Sequence, residues 1–129
     1  MDAVPGALRE VLPDLLWNRT LLWAFDLPVE RVPVADLRWQ LALPWWSLDG
    51  APFAVSPDEV RADPRRYREQ HERTMAADLS FPVHVLERPN GVLTVLDGVH
   101  RLLKADLLGR STLEVKKLSP EQLDAIACA

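Results

Sequence analysis

Leu8, Leu12, Leu15, Leu16, Leu22 and Trp23 recur at intervals that line one face of a helix. Pro13 and Asp14 fall inside that pattern, which therefore predicts two helical pieces with a break between them. Within Glu30 to Leu37, Val32 and Val34 alternate with other positions and predict a short strand, and Pro33, which has no N–H to give to a ladder, places it at a sheet edge. From Arg38 to Phe53 no period survives. Pro44, Gly50 and Pro52 interrupt the stretch, which reads as a loop carrying Trp39, Trp45 and Trp46.

Further along, Ser56-Pro57-Asp58-Glu59 has the form of a capping box with proline at the first helical position, so a short helix starts there. Asp63-Pro64 repeats the device and predicts a second helix to about Asp78, with Tyr67, His71 and Met75 on one face and Pro82 beyond its end. Val83–Leu86 and Val92–Leu96 flank Pro89-Asn90-Gly91 and predict a hairpin, in which Asn-Gly would supply positive backbone angles. Val99, Leu102, Leu103 and Leu107 share a helical face that Gly109 would end, Leu113 and Val115 alternate as in a strand, and Ser119-Pro120-Glu121-Gln122 is another capping box. The elements divide residues 1–129 into a helical extension (1–28), an α+β core (29–118) and a C-terminal helix (119–129) within one domain.

Composition narrows the functions open to such a domain. At 48% hydrophobic and 26% charged residues the chain has the balance of a globular domain, and a net charge of −4 gives no general attraction for DNA or an anionic membrane. The sole cysteine, Cys128, allows no internal disulfide and no thiol-rich metal site, which fits a reducing, cytoplasmic setting. The apolar run from Leu8 to Phe25 is broken by six polar or proline residues, so neither a signal peptide nor a membrane span is expected.

Chemistry concentrates at Leu96-Asp97-Gly98-Val99-His100-Arg101, between a strand and a helix. A helix amino terminus exposes unpaired N–H groups and the positive end of the helix dipole, a ready site for phosphate. Gly98 lets a ligand approach the backbone, and the backbone of Gly98, Val99 and His100, with the His100 imidazole and the exposed Arg101 guanidinium, would hold phosphate oxygens. Asp97 can cap the helix, hold Mg2+ or accept a proton from a substrate hydroxyl, and Lys104 would extend the positive patch. The same residues also suit an ordinary helix start. Arg65, Arg66, Arg68, His71 and Arg73 make the preceding helix locally basic, offset by Glu69 and Glu72, and His84 is expected to face solvent from its strand. Trp45 and Trp46 would point to opposite sides of an extended segment, one inward and one towards a surface where a homodimer contact would form.

The Asp97-Gly98-Val99-His100-Arg101 turn, after the proline-led strand Pro82-Val83-His84-Val85 and before a helix closed by Gly109, resembles the D-G-x-H-R signature of the ParB/sulfiredoxin-like superfamily. The resemblance covers roughly residues 32–118 and implies a small mixed sheet with flanking helices, in which the turn binds nucleotide phosphates. It implies that His71, Arg73 and Thr74, on the helix beside the turn, also contact nucleotide. Sulfiredoxins need cysteine directly before the His-Arg pair, where this chain has Val99, and partition proteins add a DNA reader for which there is no room after Leu118. Free-serine kinases of the superfamily use an acidic base near the position aligned with Gln40, with Asp36 and Asp49 nearby. The resulting expectation is a nucleotide-phosphate-binding domain taking ATP, ADP or CTP with Mg2+. It would act as a phosphotransferase or hydrolase on a small-molecule acceptor, with Asp97 and His100 catalytic, or as a non-catalytic nucleotide sensor or protein-interaction module.

Overall fold

The computed structural model describes residues 19–126, so the helical pattern of Leu8 to Leu16 and Cys128 lie outside the described residues. The fold is α+β, organised on a four-stranded mixed sheet of order β1-β6-β4-β5. Its strands are β1 (Val29–Pro33), β4 (Val83–Glu87), β5 (Leu93–Asp97) and β6 (Thr112–Leu118). β1 runs antiparallel to β6, β6 parallel to β4, and β4 antiparallel to β5. Pro33 does stand on an edge strand, but Val34 leaves the ladder and begins a 3-10 turn, Val34–Asp36.

Five helices accompany the sheet among the described residues: α1 (Arg19–Ala24), α2 (Pro57–Ala62), α3 (Arg68–Ala76), α4 (Val99–Leu107) and α5 (Pro120–Ala125). Both predicted capping boxes form in full, Ser56 with Glu59 and Ser119 with Gln122. The helix expected from Asp63 to Asp78 is shorter. Residues 64–67 are turns, and the buried positions after Tyr67 are Gln70 and Thr74, while Met75 is exposed. Seven residues make two turns almost without drift, so Tyr67 and Thr74 share a face that a strict four-residue step leaves.

The stretch from Arg38 to Phe53 is more ordered than a loop. A 3-10 helix, Arg38–Ala42, is followed by a hairpin of β2 (Trp46–Leu48) and β3 (Ala51–Val55). Its turn is Asp49-Gly50, with φ of 48° and 82°, the two positive angles that a two-residue hairpin requires. In the other hairpin only Gly91 has positive φ, at 85°. Gly91 donates to the Arg88 carbonyl and Arg88 N–H to the Val92 carbonyl, so the loop has three residues, and Asn90 accepts from the Val92 N–H instead of taking a left-handed angle.

Strand alternation gives the sheet two faces. Val83, Val85, Leu93, Val95, Leu113 and Val115 pack against Leu102, Leu103 and Ala105 of α4, with Leu37, Leu41, Val60 and Tyr67 behind them. On the opposite face Leu86, Leu96 and Leu118 meet Leu22 of α1 and Leu123 and Ile126 at α5. Gln40 is fully buried beside β5. Its amide donates to the Leu93 carbonyl at 3.1 Å and its Oε1 accepts from the Val95 N–H at 2.7 Å, as a neighbouring strand would. Asp106 binds Arg38 and Arg61, tying the 3-10 helix and α2 to α4. Burial raises the Asp106 pKa, but these hydrogen bonds and charges prevail and hold it below the usual carboxylate value.

Candidate functional site

β5 hands over to α4 at Asp97-Gly98. Gly98 has φ 117° and ψ 27°, and a Cβ there would lie 3.0 Å from Val83 Cγ2 and 3.1 Å from Arg101 Nη2. Backbone angle and space both demand glycine. No side chain caps α4, so its first amides point out of the helix without an intrahelical acceptor. Of the three roles open to Asp97, capping α4 is not taken: its Oδ2 accepts from Trp23 Nε1 at 2.8 Å and from Arg101 Nη2 at 3.4 Å.

Arg101 is not the exposed first-turn cation expected. Its side chain is 17% exposed, and Nη1 donates to the carbonyls of Phe81 and Pro82 at 3.2 and 2.7 Å. The guanidinium thus clamps the entry to β4 onto the start of α4. His100 turns to the other side, where it stacks on Trp46 with ring centroids 4.2 Å apart and planes 10° from parallel. Gln70 donates its amide to the Ser47 carbonyl, which leaves Oε1 for His100 Nε2 at 2.8 Å. That ring nitrogen is therefore the protonated one. Burial first, then the charges of Arg73 and Arg101, push the His100 pKa down to about 4, so the imidazole is neutral at pH 7.

The remaining expected contacts lie elsewhere. Lys104 donates to the Met75 and Ala77 carbonyls at 2.8 and 2.7 Å and closes the C-terminal end of α3. Thr74 is buried and donates to the Gln70 carbonyl, Arg73 pairs with Glu69 on the surface, and neither lines the cavity beside Gly98; nor does His71. Trp46 is buried against His100, while Trp45 is half-buried and donates to the Gln40 carbonyl at 2.7 Å. Gln40, at the position where the free-serine kinases have an acidic base, is an amide held by the β5 backbone.

A pocket of about 560 Å³ opens at Gly98, within the range of small-molecule sites. Asp97, Gly98, His100 and Arg101 form one wall, His84 and Lys116 belong to the sheet, and Trp23, Asp78, Phe81 and Pro82 border it on other sides. His84 does not face solvent. It is only 6% exposed, and neither of its ring nitrogens has a hydrogen-bond partner among the described residues. Burial lowers its pKa, partly opposed by Asp97 and reinforced by Lys116 and Arg101. Sequence reasoning missed His84, Lys116 and Trp23; alternation turns His84 away from the α4 core, but no local signal shows that Lys116 pairs beside it or that Trp23 borders it. Two hydrogen bonds from Ser80 to Asp78 Oδ1 keep that exposed carboxyl below its usual pKa.

Among the described residues no group of three or more His, Cys, Asp or Glu side chains is placed to hold a metal ion, and no helix is long and apolar enough to cross a membrane. No family model, curated protein or solved structure matches the chain.

Proposed function

We propose that this chain is a nucleotide-phosphate-binding domain of ParB/sulfiredoxin-like kind, taking ATP, ADP or CTP at the start of α4. The observation that carries the reading is the amino end of α4, which has no side-chain cap and whose Gly98, His100 and Arg101 line a pocket of nucleotide size. Phosphate would meet backbone N–H groups of Val99 and His100 rather than the Arg101 guanidinium, which already holds Phe81 and Pro82. Trp23 and Phe81, 54% and 63% exposed at the pocket, offer flat apolar surface to a base. His100 is neutral and engaged by Gln70, so its role is to position the turn.

Binding without turnover is the best-supported form of this function, because Gln40 is structural and the two carboxylates at the pocket are already engaged, Asp97 by Trp23 and Arg101 and Asp78 by Ser80. Phosphoryl transfer or hydrolysis with Mg2+ has one observation in its favour. Asp97 Oδ1 accepts no hydrogen bond among the described residues, and a single carboxylate with the nucleotide's own phosphates is a usual Mg2+ environment. Thermal shift with ATP, ADP and CTP plus Mg2+, read beside phosphate release, separates the two. Stabilisation without release is expected, and Gly98→Ala should remove the stabilisation while its own unliganded melt reports folding. Undiminished stabilisation of a folded Gly98→Ala protein overturns the site; release abolished in Asp97→Asn establishes the catalytic form.

A further inference from the structure

We propose that His84 and Lys116 form a second anion subsite on the sheet, so that the pocket accepts two linked phosphates rather than one. The inference rests on the nucleotide-binding reading and specifies which nucleotides fit. His84 lies between Val83 and Val85, whose side chains pack against α4, so alternation turns the imidazole to the opposite face. There it is 94% buried, lines the pocket and leaves both ring nitrogens without a partner among the described residues. A buried polar group without a partner is costly, and this one borders the cavity where a ligand would supply that partner.

Lys116 stands directly beside it, since His84 and Lys116 are paired across the parallel strands β4 and β6. The contrast with neighbouring lysines is informative. Lys117 lies between Glu30 and Glu87, each at 3.6 Å, and Lys104 holds two carbonyls, whereas Lys116 has no ion pair or hydrogen bond among the described residues. On the other side of His84, across the antiparallel ladder, is Asp97, whose charge is offset by Arg101. The groups facing His84 are thus Lys116 from β6, Asp97 from β5 and Arg101 from α4. A neutral imidazole can donate one N–H to a phosphate oxygen without repelling the adjacent ammonium. One phosphate satisfies the amides at α4; the sheet pair then serves the next phosphate along the chain, and a nucleoside monophosphate leaves one subsite unfilled.

Calorimetric titration of the full chain with inorganic phosphate, AMP, inorganic pyrophosphate and ADP tests this. Lys116→Met and His84→Phe should each weaken pyrophosphate and ADP by about tenfold and change phosphate and AMP by less than about twofold. Lys116→Met alters a side chain that is not fully buried, so it keeps the test available if His84→Phe does not fold. Equal losses for mono- and diphosphates, or no loss at all, overturn the second subsite. Gly98→Ala distinguishes the two readings: if it weakens every ligand while Lys116→Met weakens none, nucleotide binding stands and the subsite falls. If Lys116→Met alone is effective, the amide site falls and the sheet site stands. Absence of binding by all four probes to the unsubstituted chain overturns both.

Discussion

On the α4 side of the sheet the buried polar side chains Gln40, Gln70 and Thr74 each have hydrogen-bond partners amid a continuous apolar core. On the α1 side Leu22, Leu86, Leu96, Leu118, Leu123 and Ile126 form a smaller cluster, and the same face carries His84 without a partner and Lys116 without a counter-ion among the described residues. The two faces share the same strands. Their difference separates polar groups that complete the fold from polar groups left without partners beside a cavity, a distinction that residue type alone does not make.

The largest effect should come from the completed face. Gln40→Leu removes both partners of the β5 backbone and should cost about 4 kcal/mol, read from urea denaturation; a loss under about 1 kcal/mol would show that other groups satisfy Leu93 and Val95. His100, also held on this side, gives the next effect. Its pKa is lower folded than unfolded, so its contribution is intact above pH 6.5 and declines as pH falls towards about 4, where the folded state too takes the proton. On the order of 3 kcal/mol should disappear across that interval. The His100→Phe protein should show a correspondingly flatter pH dependence of stability, and an unchanged slope would refute the assignment. The smallest effect belongs to the open face. His84→Phe should stabilise the unliganded protein by about 1 kcal/mol while weakening diphosphate binding; a lower melting temperature would show that His84 already has a structural partner.

Much of the scaffold is legible where local chemistry decides. The Ser56 and Ser119 capping boxes, the α4 periodicity and its stop at Gly109 all follow from neighbours within a turn or two. The β2–β3 hairpin also has a local signal in Asp49-Gly50, obscured by the surrounding tryptophans and prolines. At the site, the turn itself is legible because Gly98 is required by its backbone. The partners of its side chains are not. Arg101 reaches carbonyls about twenty positions away, Trp23 reaches Asp97 across most of the chain, and buried His84 shares a pocket lining with Trp23, Phe81 and Pro82. Such distant contacts convert an apparent phosphate ligand into a clamp and an apparent surface histidine into part of a cavity.

Gln40 and Pro33 also bear on how copies of this protein meet. At one margin of the four-stranded sheet Gln40 occupies donor and acceptor positions on β5; at the other, Pro33 has no N–H to offer and Glu30 and Arg31 are exposed charges on β1. An unprotected strand recruits another by continuing its ladder, which is how native sheets seed aggregates. Here that continuation is obstructed at both ends, so crowding should favour contacts through side chains over self-templated growth of the sheet.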